Sequence, residues 1–203
     1  MARPAAVAPQ AAAITGLVLS GGRAQRMGGV DKGLQPWHGR ALVDHALARL
    51  APQVARMIIS ANRHLDAYAA RGWPVLADVH PEHPGPLAGI LAGLRAARTP
   101  WLAVVPCDAP RLPEDLVARL AAAVTAPAAG AVVQREVPGR GLCIEPVCCL
   151  LPVAAADDLA AYLAGGGRRV EPWLLRHARP VRFDRAEDAQ AFANFNTLDD
   201  LRD

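Results

Sequence analysis

Ile14-Thr-Gly-Leu-Val-Leu19, followed directly by Ser20-Gly21-Gly22, is the stretch that decides the fold class. A short apolar run that ends in small residues and glycines is typical of a buried strand leading into a loop. Strands buried on both faces of a parallel sheet are mostly apolar along their whole length, as this one is. The stretch therefore predicts a central parallel strand whose carboxyl end carries a glycine-rich loop.

The rest of the chain repeats this pattern, because short apolar runs alternate with segments of helical spacing. Such alternation is typical of βαβ units. We therefore predict an α/β fold with a Rossmann-like, mostly parallel sheet and helices on both faces. The predicted strands beyond the first are Met57–Ser60, Pro74–Ala77, Trp101–Val105, Ala131–Gln134 and Val147–Leu151, and the predicted helices are Leu42–Leu50, one opening at Pro86, Pro113–Leu120, Val153–Leu163 and a short last one after Thr197.

Composition restricts the class of protein further. Of the 203 residues, 52% are hydrophobic, which excludes a disordered chain, but only 4% are aromatic, so the core must be built from Ala, Val and Leu. Residues 1–13 are expected to form a loose N-terminal tail, and residues 14–203 a single domain, since no linker interrupts them. The sequence contains no run of eighteen apolar residues, so we expect no membrane helix. The tail does not resemble a signal peptide.

The net charge is compatible with a small anionic substrate, and the cysteine content favours a reducing compartment. The net charge is +3 with arginines scattered along the chain, so no nucleic-acid-binding stripe is visible. Cys107, Cys143, Cys148 and Cys149 contain no C-x-x-C pair, which disfavours zinc and favours buried thiols in the cytoplasm. On a strand, the adjacent Cys148 and Cys149 must point to opposite faces.

The loop after the first strand carries the single lysine of the chain, Lys32, among 22 basic residues. Between Leu19 and Lys32 the sequence holds four glycines and three cations, the other two being Arg23 and Arg26. Glycine backbone N–H groups and clustered cations suit a polyphosphate. The loop matches neither the Walker A pattern nor the dinucleotide fingerprint. The alternative is a surface loop with solvated arginines.

Polar residues follow four of the predicted strands: Ser20, Ser60 with Asn62, Asp78 and Asp108. In open parallel sheets, ligands bind beyond the carboxyl ends of the strands, so these residues are expected to share one edge. A carboxylate such as Asp108 at that position suits Mg²⁺ bridging substrate phosphates. Asp78 has an alternative role in a turn, and the nearby His80 and His83 are solvated loop residues or ligands.

At these residues the chain resembles a known family. The segment from Leu19 through Arg26-Met-Gly-Gly-Val-Asp-Lys32 is similar to the signature of the molybdenum cofactor guanylyltransferases, within the wider nucleotidyltransferases. The resemblance covers residues 14 to the end and extends to Asn62-Arg63-His64, Gly85-Pro86-Leu87-Ala88-Gly89, Pro106-Cys107-Asp108-Ala109-Pro110, Gly167-Arg168-Arg169-Val170 and Asn194-Phe195-Asn196-Thr197. Three positions depart from the family pattern: Ser20 replaces Ala, Ser60 replaces Asn, and Leu198 replaces Pro.

The resemblance implies a nucleotide-diphospho-sugar transferase-like fold and the transfer of GMP from GTP to the terminal phosphate of molybdopterin or molybdenum cofactor, releasing pyrophosphate. It implies Mg²⁺, or Mn²⁺ in its place, as the metal. By resemblance, Lys32, Arg26 and Asp108 are catalytic, and Asp108 holds the metal. The implied nucleotide-binding residues are Leu19, Ser20, Gly21, Gly22, Lys32, Ser60, Asn62, Asp78, Gly85, Pro86, Leu87 and Asp108, with Ser60 and Asn62 as alternatives for one contact, and the implied acceptor side is Arg168, Arg169, Asn194 and Asn196.

A phosphate monoester is largely dianionic at neutral pH, so the implied reaction needs no general base. The alternatives are a cytidylyltransferase acting on molybdopterin, a sugar-phosphate nucleotidyltransferase, and a non-enzymatic nucleotide-binding carrier of the cofactor. Beyond GTP and the pterin, we expect transient contact with cofactor-biosynthesis proteins or apo-molybdoenzymes, no nucleic acid, no membrane, and a monomer.

Overall fold

The computed structural model describes residues 8–20, 30–77, 85–126, 128–195 and 199–201. Within these ranges lie a seven-stranded sheet, a two-stranded hairpin and six α-helices. The strands are β1 (Ile14–Leu19), β2 (Pro36–Trp37), β3 (Arg40–Ala41), β4 (Arg56–Ser60), β5 (Val75–Leu76), β6 (Trp101–Pro106), β7 (Gly130–Val137), β8 (Gly141–Pro152) and β9 (Ala178–Arg182). The helices are α1 (Leu42–Leu50), α2 (Leu65–Ala69), α3 (Pro86–Ala96), α4 (Leu116–Ala122), α5 (Ala156–Ala164) and α6 (Val170–His177).

The large sheet has the strand order β5-β4-β1-β6-β8-β7-β9. Strands β5, β4, β1 and β6 are parallel to one another, and β9 is parallel to β7. Only β8 runs against its neighbours β6 and β7. The prediction of a mostly parallel sheet in an α/β fold is therefore confirmed.

The antiparallel direction of β8 follows from the tight turn between β7 and β8. Three residues, Pro138-Gly139-Arg140, join these strands, and a connection this short can only link antiparallel neighbours. Gly139 and Gly141 have φ values of 74° and 72°, which glycine adopts without the steric cost that other residues incur. The strands on either side of this turn were predicted as members of a mostly parallel sheet, and their antiparallel pairing was not foreseen.

Helices cover both faces of the sheet, as predicted. Helices α1 and α4 pack on one face, and α3, α5 and α6 pack on the other. Alternate residues of one strand enter opposite cores: Val18 lies in the first core and Leu17 in the second. Cys148 and Cys149 divide between the cores in the same way, which confirms their predicted opposite orientations, and Cys107 is buried as well, whereas Cys143 is only half-buried.

Most predicted elements are present, with differences at their ends. The helix Leu42–Leu50 and the strand Ile14–Leu19 have their predicted bounds. The helix predicted from Pro113 begins at Leu116, because the Gln53 side chain accepts a hydrogen bond from Val117 N (2.8 Å) and donates to Pro113 O (3.1 Å), which caps the helix from a distant segment. The segment predicted as one helix over 153–163 starts with a 3₁₀ turn before α5.

Near the end of the chain, the predicted short helix is a 3₁₀ turn over Asp199–Leu201. Thr197, which precedes that predicted helix, lies outside the described residues. Strand β9 and helices α2 and α6 were not predicted, because each is short and mostly exposed: only Tyr68 of α2 and Trp173 with Leu174 of α6 are buried. Across the described ranges, no helix is both long and apolar enough to cross a membrane.

Strand β8 contains a bulge opposite β7. Val132 pairs with Cys149, but the next residue, Val133, pairs with Glu145, so three residues of β8 have no partner on β7. One of these is Pro146, which lacks the N–H that a strand ladder requires. Val147 is another of these three residues, and it lines the cavity described below.

A buried ion pair fixes α4 to the C-terminal segment. Arg119 donates to both carboxylate oxygens of Asp188, with Nη1–Oδ1 and Nη2–Oδ2 distances of 2.8 and 2.9 Å, and its guanidinium lies over the Phe183 ring. Asp188 is only 2% exposed. Burial acts to raise the pKa of Asp188, but the hydrogen bonds from Arg119 and from the Arg185 backbone outweigh it and hold this pKa below its ordinary value.

We expect Asp188→Asn to lower the free energy of unfolding by about 3 kcal/mol at pH 7, since it leaves the mostly buried guanidinium of Arg119 with only the more distant Asp115, at 3.7 Å, as a counter-ion. A carboxyl whose pKa is depressed by folding stabilises the native state above its unfolded pKa, near 4, and this contribution disappears as pH falls below that value. Urea unfolding should therefore be measured at several pH values from 7 to 3. The free energy of unfolding should fall more between pH 7 and pH 3 for wild type than for the variant. Asp184→Asn, at an exposed ion pair with Arg182, is the control and should change little; equal acid sensitivity of wild type and Asp188→Asn would contradict the assignment.

Candidate active site

The carboxyl ends of β1 and β6 form one side of a cavity of about 250 Å³. These two strands are neighbours, but the chain passes from β1 to β4 and β5 before it returns to β6 on the other side of β1. Such a reversal of strand order leaves a crevice at the sheet edge, where α/β proteins bind ligands. The lining residues are Leu19, Ser20, Asp31, Lys32, Pro86, Pro106, Cys107, Asp108, Val147 and Asn194.

Lys32 and Asp108 form an ion pair in this cavity. Lys32 Nζ lies 2.5 Å from Asp108 Oδ2, and the two side chains are 21% and 20% exposed. Both groups therefore remain accessible from the cavity while each offsets the charge of the other. A cation and a carboxylate held side by side can serve a polyphosphate and its metal ion respectively.

Asp31 fixes the turn that carries Lys32. The residues Lys32–Leu34 form a 3₁₀ turn, and Asp31 caps it, because its Oδ1 accepts a hydrogen bond from Gly33 N at 3.2 Å. The same oxygen accepts from the Tyr68 hydroxyl at 2.7 Å, and Asp31 Oδ2 lies 3.0 Å from His64 Nδ1. The direction of the Lys32 side chain thus depends on His64, in the loop that follows β4, and on Tyr68, in α2.

A buried polar layer lies beneath this turn. Tyr68 is 0% exposed and Cys107 is 6% exposed, and a Cβ on Gly33 would lie 2.5 Å from the Tyr68 hydroxyl and 3.2 Å from Cys107 Sγ. Burial, with the nearby Cys107 and Asp31, raises the pKa of Tyr68, and burial beside Asp108 raises the pKa of Cys107 to about 12. Both groups are therefore neutral at physiological pH. The absence of a side chain at position 33 lets the turn approach them.

The C-terminal segment reaches the cavity through a backbone hydrogen bond. Phe195 N donates to Asp108 O at 3.0 Å, which places the neighbouring Asn194 at the cavity wall. The ring of Phe195 is held by Trp37 and by the Arg111 guanidinium, 5.5 Å from the ring centroid. Asn194 and Asp108 are therefore brought together although they are 86 positions apart in the sequence.

The amino end of α3 also faces the cavity. Gly85, with φ of 139°, precedes the helix in a conformation that only glycine adopts readily, and Pro86 occupies the first turn and lines the cavity. The amino end of a helix is the positive end of its dipole and favours anions. This orientation supports a negatively charged ligand in the cavity.

The structure brings several predicted site residues together at the cavity: Leu19, Ser20, Lys32, Pro86, Asp108 and Asn194. Ser60 and Asn62 do not line the cavity, because Ser60 is buried against Gly89 of α3 and Asn62 is exposed beyond β4. Gly85 and Leu87 flank Pro86, but the Leu87 side chain belongs to the second core. The remaining predicted residues Gly21, Gly22, Arg26, Asp78 and Asn196, with His80 and His83, lie outside the described residues.

Arg168 and Arg169, predicted on the acceptor side, are not part of the cavity wall. They are exposed between α5 and α6, where Arg168 Nη1 donates to the carbonyls of Leu163 (2.9 Å) and Gly167 (2.7 Å). An arginine at the carboxyl end of a helix satisfies carbonyls that have no partner within the helix. In this structure Arg168 therefore closes the end of α5.

Five described residues at or below the cavity were not predicted as site residues: Asp31, Tyr68, Pro106, Cys107 and Val147. Asp31 and Cys107 adjoin predicted residues in the sequence, so their positions offered a signal. Tyr68 offered none, because it lies on a five-residue helix without an apolar repeat. Val147 lies in the bulge of β8, which no residue spacing predicts.

The residues present fit a hard divalent cation bound together with substrate phosphates. Mg²⁺ commonly takes one or two protein carboxylates and completes its shell with waters and phosphate oxygens. Asp108 supplies such a carboxylate at the strand end. In the described part of the chain, no group of three or more His, Cys, Asp or Glu side chains surrounds a common metal position.

Comparison with known proteins agrees with this geometry. Residues 16–180 match the MobA-like NTP transferase domain. The molybdenum cofactor guanylyltransferase of Cupriavidus necator is 54% identical over 192 residues, which cover 93% of this chain and 94% of the relative. That of Cupriavidus taiwanensis is 52% identical over 191 residues, which cover 93% of this chain and 94% of the relative.

Among solved structures, the fold is similar to that of molybdopterin-guanine dinucleotide biosynthesis protein A from Archaeoglobus fulgidus. The TM-score is 0.69 at 22% identity, and the match covers 93% of this chain and 95% of the other. On the strength of the matched domain and of relatives that are half identical over nearly their whole length, the chain belongs to the molybdenum cofactor guanylyltransferase family of MobA-like NTP transferases.

Proposed function

We propose that this chain transfers GMP from GTP to the terminal phosphate of molybdopterin or of its molybdenum-bearing form, giving the guanine dinucleotide and pyrophosphate. The observation that carries the proposal is the Lys32–Asp108 pair at the joint carboxyl ends of β1 and β6. Its members are a cation for phosphates and a carboxylate for a metal, in a chain whose relatives are named for this reaction.

In the proposed reaction, an oxygen of the acceptor phosphate forms a bond to the α-phosphorus of GTP. The bond between that phosphorus and the α,β-bridging oxygen breaks, and pyrophosphate leaves with the electron pair. The acceptor is a phosphate monoester that is already largely dianionic at neutral pH, so no side chain has to remove a proton. The buried, neutral Cys107 and Tyr68 are consistent with a site that lacks a general base.

The protein is left with alignment and charge neutralisation. Lys32 would contact the phosphates of GTP and offset the charge that grows on the departing pyrophosphate. The amino end of α3 adds a partial positive charge at the same cavity. Asp108 would hold Mg²⁺, which when bound polarises and neutralises phosphate oxygens.

Asn194 is the described residue that supports the acceptor side, since it lines the cavity next to Asp108. Arg168 and Arg169 would meet the pterin only at the exterior of the molecule, given their exposed position between α5 and α6. We therefore rank Asn194 ahead of both arginines as an acceptor contact. We also propose a cytoplasmic location and monomeric action.

The proposal is tested by mixing the purified chain with molybdopterin, MgCl₂ and each of GTP, CTP, ATP and UTP in turn. We expect pyrophosphate release and guanine dinucleotide formation that require both GTP and the acceptor, and that are lost with EDTA. A preference for CTP would instead indicate a cytidylyltransferase, and tight nucleotide binding without pyrophosphate release would indicate a carrier. Either result would overturn the proposal.

A further inference from the structure

The carboxylate of Asp31 is nine-tenths buried beside the cavity, and its side chain is only 9% exposed. A buried carboxylate is costly unless hydrogen bonds replace its lost water. Asp31 obtains these from Gly33 N, from the Tyr68 hydroxyl and at His64 Nδ1. Two of its three partners therefore come from residues more than thirty positions away in the chain.

Tyr68 cannot contact a substrate in the cavity, because it is 0% exposed. Its hydroxyl is directed to Asp31 Oδ1 at 2.7 Å and lies against the turn at Gly33. Burial keeps the pKa of this hydroxyl above its ordinary value, so it remains a hydrogen-bond donor at all physiological pH values. A permanent donor below the turn can hold Asp31 in one orientation.

We propose that Tyr68, assisted by His64, is a positioning residue for Lys32: its hydroxyl fixes Asp31, and Asp31 fixes the turn from which the Lys32 ammonium reaches the phosphates. The proposal rests on the proposed function for its catalytic consequence, but the positioning itself does not depend on the identity of the nucleotide.

The need for such a device follows from the chemistry of lysine. Its ammonium is a point charge on a flexible four-carbon stem, without the planar fork that orients arginine. The stem must therefore be aimed from its backbone, and small displacements of a charge-stabilising group reduce catalysis strongly. The cap at Asp31 fixes the backbone at residues 31–33, and Tyr68 and His64 fix the cap.

The first test is the kinetics of Tyr68→Phe, which keeps the buried ring and removes only the hydroxyl. We expect kcat for GMP transfer to fall about tenfold, as for the loss of one hydrogen bond to a charged group, with a smaller change in KM for GTP. The matched control is Thr15→Val. It removes a buried hydroxyl bonded to Thr99 Oγ1 at 2.7 Å, at the opposite end of β1, and should leave kcat unchanged.

The second test uses the single lysine as a spectroscopic probe. Chain labelled with [ε-¹³C]lysine gives one lysine side-chain resonance, that of Lys32. We expect Tyr68→Phe to move this resonance toward the position of a free lysine and to reduce its shift on addition of pyrophosphate with Mg²⁺. Thr15→Val should reproduce the wild-type resonance and its pyrophosphate shift.

His64→Gly provides a further test that does not depend on the folding of Tyr68→Phe. His64 is half exposed and has φ of 50°, which glycine adopts without strain, so this variant removes one Asp31 contact at little risk to the fold. We expect a change of the Lys32 resonance in the same direction as for Tyr68→Phe, and a smaller fall in kcat.

The proposal is overturned if folded Tyr68→Phe, or His64→Gly in its place, leaves the Lys32 resonance, its pyrophosphate shift and kcat at their wild-type values. Failure of the proposed function has a different signature. In that case the wild type gives no GMP transfer, while the Lys32 resonance still responds to Tyr68→Phe and not to Thr15→Val.

Discussion

Lys32→Ala is expected to lower kcat for GMP transfer by about 10²- to 10³-fold, the range found when one charge-stabilising donor is removed from a preorganised site. The change removes the cation that lies 2.5 Å from Asp108 and lines the cavity. Steady-state kinetics with GTP and molybdopterin, together with thermal unfolding of the variant, provide the measurement. The melting temperature should change little, because both members of the pair are partly solvated.

Lys32→Arg is the informative companion variant. Every other basic residue of the chain is arginine, so charge alone is satisfied by arginine elsewhere in this molecule. Arginine presents a planar fork in place of a compact ammonium and should not fit between Asp108 and the phosphates equally well. We expect activity between those of wild type and Lys32→Ala. Full activity of Lys32→Ala would remove this residue from the mechanism.

Asp108→Asn is expected to abolish Mg²⁺-dependent turnover, with a fall in kcat of about a thousandfold. The amide keeps the size of the side chain but lacks the negative charge that a hard cation requires. The measurement is pyrophosphate release as a function of Mg²⁺ concentration, for this variant and for wild type.

Asp115→Asn serves as the control for Asp108→Asn, since Asp115 is an exposed carboxylate before α4 that pairs with Arg185. Its Mg²⁺ dependence should match that of wild type. Wild-type turnover by Asp108→Asn at saturating Mg²⁺ would contradict the assignment of Asp108 as the metal-holding residue.

The sequence predicted the parts of the fold that depend on local pattern. Strand β1 and helix α1 have their predicted bounds, because a mostly apolar run and an apolar repeat of three and four residues each identify one conformation. The start of α4 was wrong by three residues, because its cap is the Gln53 side chain rather than a neighbour in the sequence. The direction of β8 was missed although the Pro138-Gly139-Arg140 turn indicated it.

The candidate site was predictable to the extent that it lies at strand ends. Lys32 and Asp108 were both expected at the strand ends, one in the loop after the first strand and the other after Trp101–Val105. The contact between their side chains was not itself predicted. The contribution of Tyr68 was not predictable, because it arises from a three-dimensional meeting of α2 with the turn at Asp31. The contacts of Arg168 with carbonyls at the end of α5 were not predicted either, because they depend on how the chain folds back after that helix.

In β8, the residue that lines the cavity is not one of the residues whose pairing with β7 sets the strand register. Val147 is one of the three residues of β8 that have no partner on β7, and it forms part of the cavity wall. The strand register does not depend on Val147. It is set by the pairing of Cys149 with Val132 on one side of the bulge and of Glu145 with Val133 on the other. Position 147 is therefore the place at which a protein engineer can enlarge or narrow the pocket, by exchanging valine for alanine or leucine, while the scaffold keeps its alignment.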